Sequence, residues 1–301
     1  MHGLLLIDKP AGFSSHDVVR QVRRICRTRK VGHAGTLDPL ATGVLPVAVG
    51  DGTKILQFLF SDNKSYRATL KLGVSTDTLD SEGQVVAECP VPDLTSASLE
   101  SVCARFRGDI MQVPPMYSAL KKNGVPLYKL AREGKEVERE ARAVSIDELE
   151  IVDIDLPFVT IDVACSKGTY IRTLIDDIGA ELGCGAHMTE LRRTRSGAFD
   201  ISACVTLEQL KQAEENIPGL LSLDESLSGC PAVQVSTEAV GALRCGVPPS
   251  MEQTAFSEDL EAGQLVRLQI EGSLAAMARY APQREKEKRG DFELLRVFVG
   301  Q

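Results

Sequence analysis

Between Gly32 and Leu45 the sequence reads Gly-His-Ala-Gly-Thr-Leu-Asp-Pro-Leu-Ala-Thr-Gly-Val-Leu, so one carboxylate, Asp38, and one imidazole, His33, stand among three glycines. Gly32, Gly35, Pro39 and Gly43 break both helix and central strand. The segment is therefore predicted to be a structured loop that enters a buried strand over Val44 to Val49. Loops held on a rigid scaffold are where folds display functional side chains, and a carboxylate there can act as a nucleophile or remove a proton. The plainer reading is that Asp38 opens an Asp-Pro turn and that His33 is a solvated loop residue. Metal chemistry is not indicated. His2, His16, His33 and His187 lack close ligand spacing, and the eight cysteines are scattered without a C-x-x-C pair. They read as reduced thiols of a cytoplasmic protein.

The elements around the loop follow from periodicity. Gly3 to Asp8 is predicted to be a short buried strand rather than the start of a leader, because Asp8 and Lys9 end the apolar run. A helix then starts at Ser14, with Asp17 completing a capping box, and Val18, Val19, Val22, Ile25 and Cys26 fall within an arc of about 120°. Arg20, Arg23, Arg24 and Arg27 occupy the opposite arc. They read either as a solvated face or, lacking interspersed acids, as phosphate contacts. Thr53 to Phe60 and Leu99 to Phe106 look helical, and Tyr66 to Leu72 alternates like a strand. Residues 119–142 interleave Lys121, Lys122, Lys129, Arg132, Lys135, Arg139 and Arg142 with Tyr128, as an RNA-facing insertion would. Two strands (Val144 to Val152, Phe158 to Cys165) and a helix burying Ile171, Leu174, Ile175, Ile178 and Leu182 are expected next. Ser226, Ser228, Gly229 and Pro231 read as a linker, followed by strand-like pieces at Ala232 to Val235, Gln264 to Ile270 and Leu294 to Val299.

Composition limits the function classes. With 301 residues, 43% hydrophobic and 25% charged, the chain can build one large domain and one small one, and no apolar run is long enough to span a bilayer. The net charge of −8 argues against nucleic acid as a partner. Its distribution argues the other way: residues 1–60 hold eight Lys/Arg against four Asp/Glu, enough for a local basic face.

Six segments carry a resemblance: Gly3-Leu-Leu-Leu-Ile-Asp-Lys-Pro10, Gly32 to Gly50, Lys64-Ser-Tyr-Arg67 with Thr76-Asp77-Thr78, Pro114 to Lys121, Cys165-Ser-Lys-Gly-Thr-Tyr-Ile-Arg172 and Gly183-Cys-Gly-Ala-His187. In this order they resemble the blocks of the TruB family of tRNA pseudouridine synthases, over roughly residues 3–210. Related families share an Asp in a Leu-Asp-x-x-x-x-Gly setting, whereas the form G-T-L-D-P-L-A-T-G-V-L resembles TruB specifically. The resemblance implies an α+β fold, a mixed, largely antiparallel sheet flanked by helices, over residues 1–225, and a small β-rich PUA-like domain over 231–301. The C-terminal similarity is weak, resting on Ala242 to Pro248 and Gly263 to Arg267. The chain opens almost on its first strand, so the basic N-terminal extension of some members, with its RNA contacts, is expected to be missing.

The implied reaction breaks the C1′–N1 bond of a uridine, turns the freed uracil and joins C5 to C1′. It changes no oxidation state and needs no cofactor. By resemblance Asp38 is the catalytic carboxylate, either attacking C1′ or removing the C2′ proton. Arg172 matches the cation that would lower its pKa, although local sequence alone would leave this arginine exposed early in a helix. Tyr66 matches the active-site tyrosine, whose ring can stack on uracil and whose hydroxyl can take part in proton movement. Tyr170 and Leu191 match pocket-lining positions, and Lys9 would support the loop. Extruding the base costs a few kcal/mol. His33, placed by resemblance beside the flipped nucleotide, would offset part of that by stacking worth about 1–3 kcal/mol. Arg20, Arg23, Arg24, Arg27, Lys121 and Lys122 are the expected phosphate contacts. The implied partner is the T-arm stem-loop of tRNA, with neither membrane nor obligate protein partner, for a monomer. A non-catalytic RNA-binding factor on the same scaffold is the competing class, disfavoured by the intact Asp38, Tyr66 and Arg172. A glycosidic hydrolase would need a second carboxylate as acid partner, and none is evident.

Overall fold

The computed structural model describes residues 1–59, 63–213, 217–256, 259–282 and 290–298. Strand β1 (Gly3–Lys9) is apolar on both sides: Leu5 and Ile7 enter one core and Leu4 and Leu6 a second. Helix α1 (Ser15–Ile25) has the expected capping box between Ser14 and Asp17 and buries Val18, Val19 and Val22. After it comes a short strand that the glycine-rich sequence hid, β2 (Val31–His33), paired with β3 (Thr42–Val49). The helix expected over Thr53 to Phe60 divides into a 3-10 turn, Gly50–Lys54, and α2 (Leu56–Leu59), while Phe60 lies outside the described residues. There follow β4 (Lys64–Leu72), the hairpin β5 (Val74–Thr76) and β6 (Val85–Glu88), α3 (Ser96–Ala104) and β7 (Gly108–Gln112). The basic stretch contains the hairpin β8 (Lys121–Lys122) and β9 (Val125–Pro126) and helix α4 (Leu127–Arg132). Next come β10 (Arg142–Asp155), β11 (Phe158–Cys165), α5 (Ile171–Glu181), β12 (Ala186–Ser196), β13 (Phe199–Asp200), α6 (Leu207–Gln212) and β14 (Leu220–Leu221).

Among the described residues these strands form a ten-stranded sheet in the order β14-β1-β3-β12-β4-β11-β10-β7, with β2 attached to β3 and β13 to β12. Neighbours run antiparallel except β3 and β12, which meet in parallel through Arg192 opposite Thr42 and Arg193 opposite Gly43. This is the mixed, largely antiparallel sheet expected. The parallel junction requires a glycine: Gly43 has φ +100°, and a Cβ there would lie 2.2 Å from the Arg193 carbonyl oxygen. Helices α1, α3, α5 and α6 cover one face through Val18, Leu99, Leu174 and Leu207, among others. On the other face Ile55, Leu59, Phe199 and Leu227 join Leu4 and Leu6.

A second, five-stranded sheet follows, built from β15 (Ala232–Val235), β16 (Thr254–Ala255), β17 (Leu265–Ile270), β18 (Ser273–Tyr280) and β19 (Phe292–Val297), with α7 (Val240–Arg244) beside it. Strand β18 escaped the sequence reading because Leu-Ala-Ala-Met-Ala lacks the β-branched residues that mark strands. Val299, expected at the end of the last strand, lies outside the described residues. The stretch read as a linker is not a loose tether. Ser226 and Leu227 are buried, Asp224 accepts hydrogen bonds from Arg267 at 2.5 Å and Gln269 at 2.6 Å, and Met277 of β18 packs in the core of Leu4 and Leu6. Among the described residues no helix is long and apolar enough to cross a membrane.

Candidate active site

The Asp38 loop is held at several points. The Ser15 hydroxyl, buried at the start of α1, donates to the Leu37 carbonyl at 2.9 Å and accepts from the Leu37 N–H at 2.8 Å. Asp38 does open a turn, with the Ala41 N–H donating to its carbonyl at 3.1 Å, so the plainer reading holds for its backbone. Lys9, fully buried, donates its ammonium to the carbonyls of Pro10, Phe13 and Pro39, and the Gly12 N–H also reaches Pro39. Burial pulls the Lys9 amine down to about 8. Lys9 thus sits under the turn that carries Asp38.

The Asp38 side chain, 37% exposed, accepts from Arg172 Nη2 at 3.0 Å, while the Arg172 side chain is 6% exposed. The surface position suggested by local sequence is therefore wrong for Arg172. Its guanidinium also donates to the carbonyls of Tyr117 at 2.8 Å and Thr78 at 3.0 Å and to Asp80 Oδ2 at 3.2 Å. Asp80 was missed in the sequence; it is buried in the turn after β5, where its Oδ1 accepts from Thr78 Oγ1 and the Glu82 N–H. The acidic run Asp80-Ser-Glu-Gly just after Thr76-Asp77-Thr78 was the available signal. Burial pushes the Asp38 carboxyl above the usual carboxylate range; Arg172 and Lys9 oppose the rise and Asp80 adds to it. The expected lowering by a nearby cation is thus present but outweighed, chiefly by the loss of solvent and in addition by the second acid that shares Arg172.

Tyr66, 8% exposed, stands in β4 between Val163 of β11 and Arg193 of β12. It packs in one core with Leu37 and Leu191. Burial raises its phenol above the ordinary value, and both Asp38 and Arg193 act on it electrostatically. Tyr170 precedes α5, its main chain clamped by the buried Gln112 side chain at 2.8 and 3.1 Å. Its phenol, also raised by burial, feels Arg172 and Asp38. Lys9, Tyr66, Tyr170 and Arg172 thus gather around Asp38. His33 ends β2 with Nδ1 buried, and burial holds its imidazole below the usual value, so the ring is neutral at pH 7 rather than merely solvated.

The basic residues expected at phosphates differ from one another in how they are held. Arg20 is ion-paired to Asp17, the acid of its own capping box, and Arg23 is half-buried with Nη2 donating to the Val31 carbonyl at 3.2 Å. Arg24 and Arg27 are exposed and make no ion pair among the described residues. Lys121 and Lys122 are exposed on their hairpin, where Lys122 donates to the Glu138 carbonyl at 2.6 Å. No group of three or more His, Cys, Asp or Glu that could hold a metal occurs among the described residues.

The mixed sheet, with the aspartate–arginine pair formed between the loop before β3 and the start of α5, defines an enzyme of the pseudouridine synthase fold. The chain superposes with a TM-score of 0.77 and 30% identity on a chain of a Cbf5-Nop10-Gar1 complex, covering 99% of this chain and 85% of that one. A chain of an H/ACA RNP bound to a substrate RNA containing 2′-deoxyuridine gives 0.76 and 28%, with coverage of 99% and 85%. The model of the TruB family pseudouridylate synthase N-terminal domain matches residues 23–171, and that of the tRNA pseudouridylate synthase B C-terminal domain matches 172–227. Relatives named tRNA pseudouridine synthase B include one from Syntrophotalea carbinolica, 53% identical over 99% of this chain and 98% of its own. Another, from Geobacter sulfurreducens, is 46% identical over 99% of this chain and all of its own. The chain belongs to the TruB family of pseudouridylate synthases.

Proposed function

We propose that this protein isomerises a uridine in the T-arm loop of tRNA to pseudouridine, acting on a base flipped out of the folded RNA, with Asp38 as the essential carboxylate. The observation that carries the reading is the partly exposed Asp38 carboxylate held 3.0 Å from the buried Arg172. The carboxylate attacks C1′ or takes the C2′ proton; either way the C1′–N1 bond breaks, and the uracil turns before C5 bonds to C1′. The C5 proton then leaves and N1 carries one instead, so the sum is an isomerisation that no cofactor need assist. Tyr66, Tyr170 and Leu191 line the space for the base. The neutral His33 ring suits stacking beside the extruded nucleotide, worth about 1–3 kcal/mol.

The exposed Arg24, Arg27, Lys121 and Lys122 supply phosphate contacts, with Arg20 and Arg23 in support. Residues 1–225 form the catalytic unit and 231–301 a PUA-like module. The enzyme acts as a cytoplasmic monomer without membrane or obligate protein partner, which light scattering of the purified protein tests directly. For the reaction itself, tRNA tritiated at uridine C5 is expected to lose tritium with the native protein and not with Asp38→Asn, whose RNA affinity stays within a few-fold. Undiminished release by Asp38→Asn rejects the assignment. Lost binding without a folding defect makes Asp38 structural.

A further inference from the structure

Arg193 plays no part in the expectations drawn from sequence, yet it heads the largest fully buried side chains, at 1% exposure. It makes no ion pair among the described residues, which is costly for a guanidinium unless its N–H groups find other acceptors. They do: Nε donates to the Val44 carbonyl at 2.7 Å and Nη2 to the Gly35 carbonyl at 3.3 Å. Those carbonyls bracket the loop that carries Asp38. Across the sheet Arg193 is the register partner of Gly43 on one side and of Tyr66 on the other, so the two side chains stand side by side on one face of the sheet, close enough for the Arg193 charge to favour the phenolate.

A guanidinium donates hydrogen bonds and accepts none, whereas a phenol has one proton and an accepting oxygen. In a hydrogen bond between these neighbours the Tyr66 oxygen must accept, which leaves its single proton to point elsewhere. We propose that Arg193 is a positioning residue that turns the Tyr66 O–H toward the Asp38 side of the cleft, so that the tyrosine meets the flipped nucleotide as a hydrogen-bond donor. The inference rests on the pseudouridine synthase reading above. A purely structural Arg193 would brace the loop through Gly35 and Val44 and be indifferent to the phenol.

The two roles separate in a double-mutant cycle. Single-turnover rates on a T-arm stem-loop RNA are measured for the native enzyme, Arg193→Lys, Tyr66→Phe and the double variant, alongside RNA affinity and thermal melts. Acting through the hydroxyl, Arg193→Lys slows the native enzyme about tenfold or more and leaves RNA affinity unchanged. In the Tyr66→Phe background it changes the rate by no more than about twofold. Equal slowing in both backgrounds overturns the proposal. Should Arg193→Lys fail to fold, Tyr66→Phe alone decides: removing the acceptor from a buried guanidinium lowers Tm by about 2 °C or more, and an unchanged or higher Tm overturns the pairing of phenol and guanidinium. A native protein that forms no pseudouridine in this RNA rejects the functional reading instead, and the Tyr66→Phe melt still judges that pairing.

Discussion

Asp38 stands between opposing pulls, since burial and the Asp80 charge favour its protonated form while Arg172 and Lys9 favour the carboxylate. Both proposed routes for the reaction use the carboxylate, so activity is expected to fall as pH falls through the raised Asp38 pKa. The acid limb of the kcat/KM profile should therefore lie above the usual carboxylate range. Asp80→Asn removes a neighbouring negative charge and lowers the Asp38 pKa, so it should move that limb to lower pH, even as the loosened Arg172 reduces the plateau rate. A limb displaced upward in Asp80→Asn would show that Asp80 does not act on Asp38 by charge. At this scale the sequence was only partly readable. Asp38 stood out through its glycine-rich loop, but Arg172 looked like a surface residue because the carbonyls that bury it, of Thr78 and Tyr117, come from distant segments. Arg193 was hidden in the basic run Arg192-Arg-Thr-Arg195, where strand alternation puts Arg193 inside and leaves Arg192 on the other face, paired with Asp8.

The elements matter here chiefly as clamps on one loop. Helix α1 reads in sequence as an amphipathic helix with a basic face, and it is one. Its first residue, Ser15, has a second task that no local pattern revealed, tying both main-chain groups of Leu37 next to Asp38. Ser15→Ala would leave a buried N–H and carbonyl unpaired, at a cost of about 1–3 kcal/mol. The expected result is lower stability in urea titrations together with a reduced single-turnover rate at unchanged RNA affinity. Full activity at reduced stability would mean that the loop keeps its shape without the clamp. Strands with alternating or continuous apolar patterns were predicted close to their observed places. The short β2, the arginine-rich β12 and the alanine-rich β18 were not, because each is held by its neighbours in the sheet rather than by its own propensity.

For the whole molecule, the proposed phosphate contacts would reconcile a net charge of −8 with an RNA substrate through where the exposed cations stand. With Arg20 paired to Asp17 and Arg23 tucked against Val31, the exposed charge left is that of Arg24 on α1 and of Arg27, which lies not on the helix as the sequence suggested but just past its C-cap, with φ +49°. Replacing both with Ala should reduce the slope of log affinity against log salt by about 0.7–0.9 for each phosphate that the variant no longer neutralises. An unaltered slope in filter binding would remove α1 from the RNA interface. The same whole-chain view gives meaning to the strand pairing at the sheet's edge, where Leu4 and Leu5 of β1 lie against Leu221 and Leu220 of β14. A ribosome adding 5–20 residues per second needs roughly 10–40 s to travel between those two strands. During that interval one side of β1 has open backbone donors and acceptors and an oily flank awaiting Leu227 and Met277. The newborn protein must shelter that edge, by transient contacts of its own or in the grip of a chaperone, until β14 has left the ribosome.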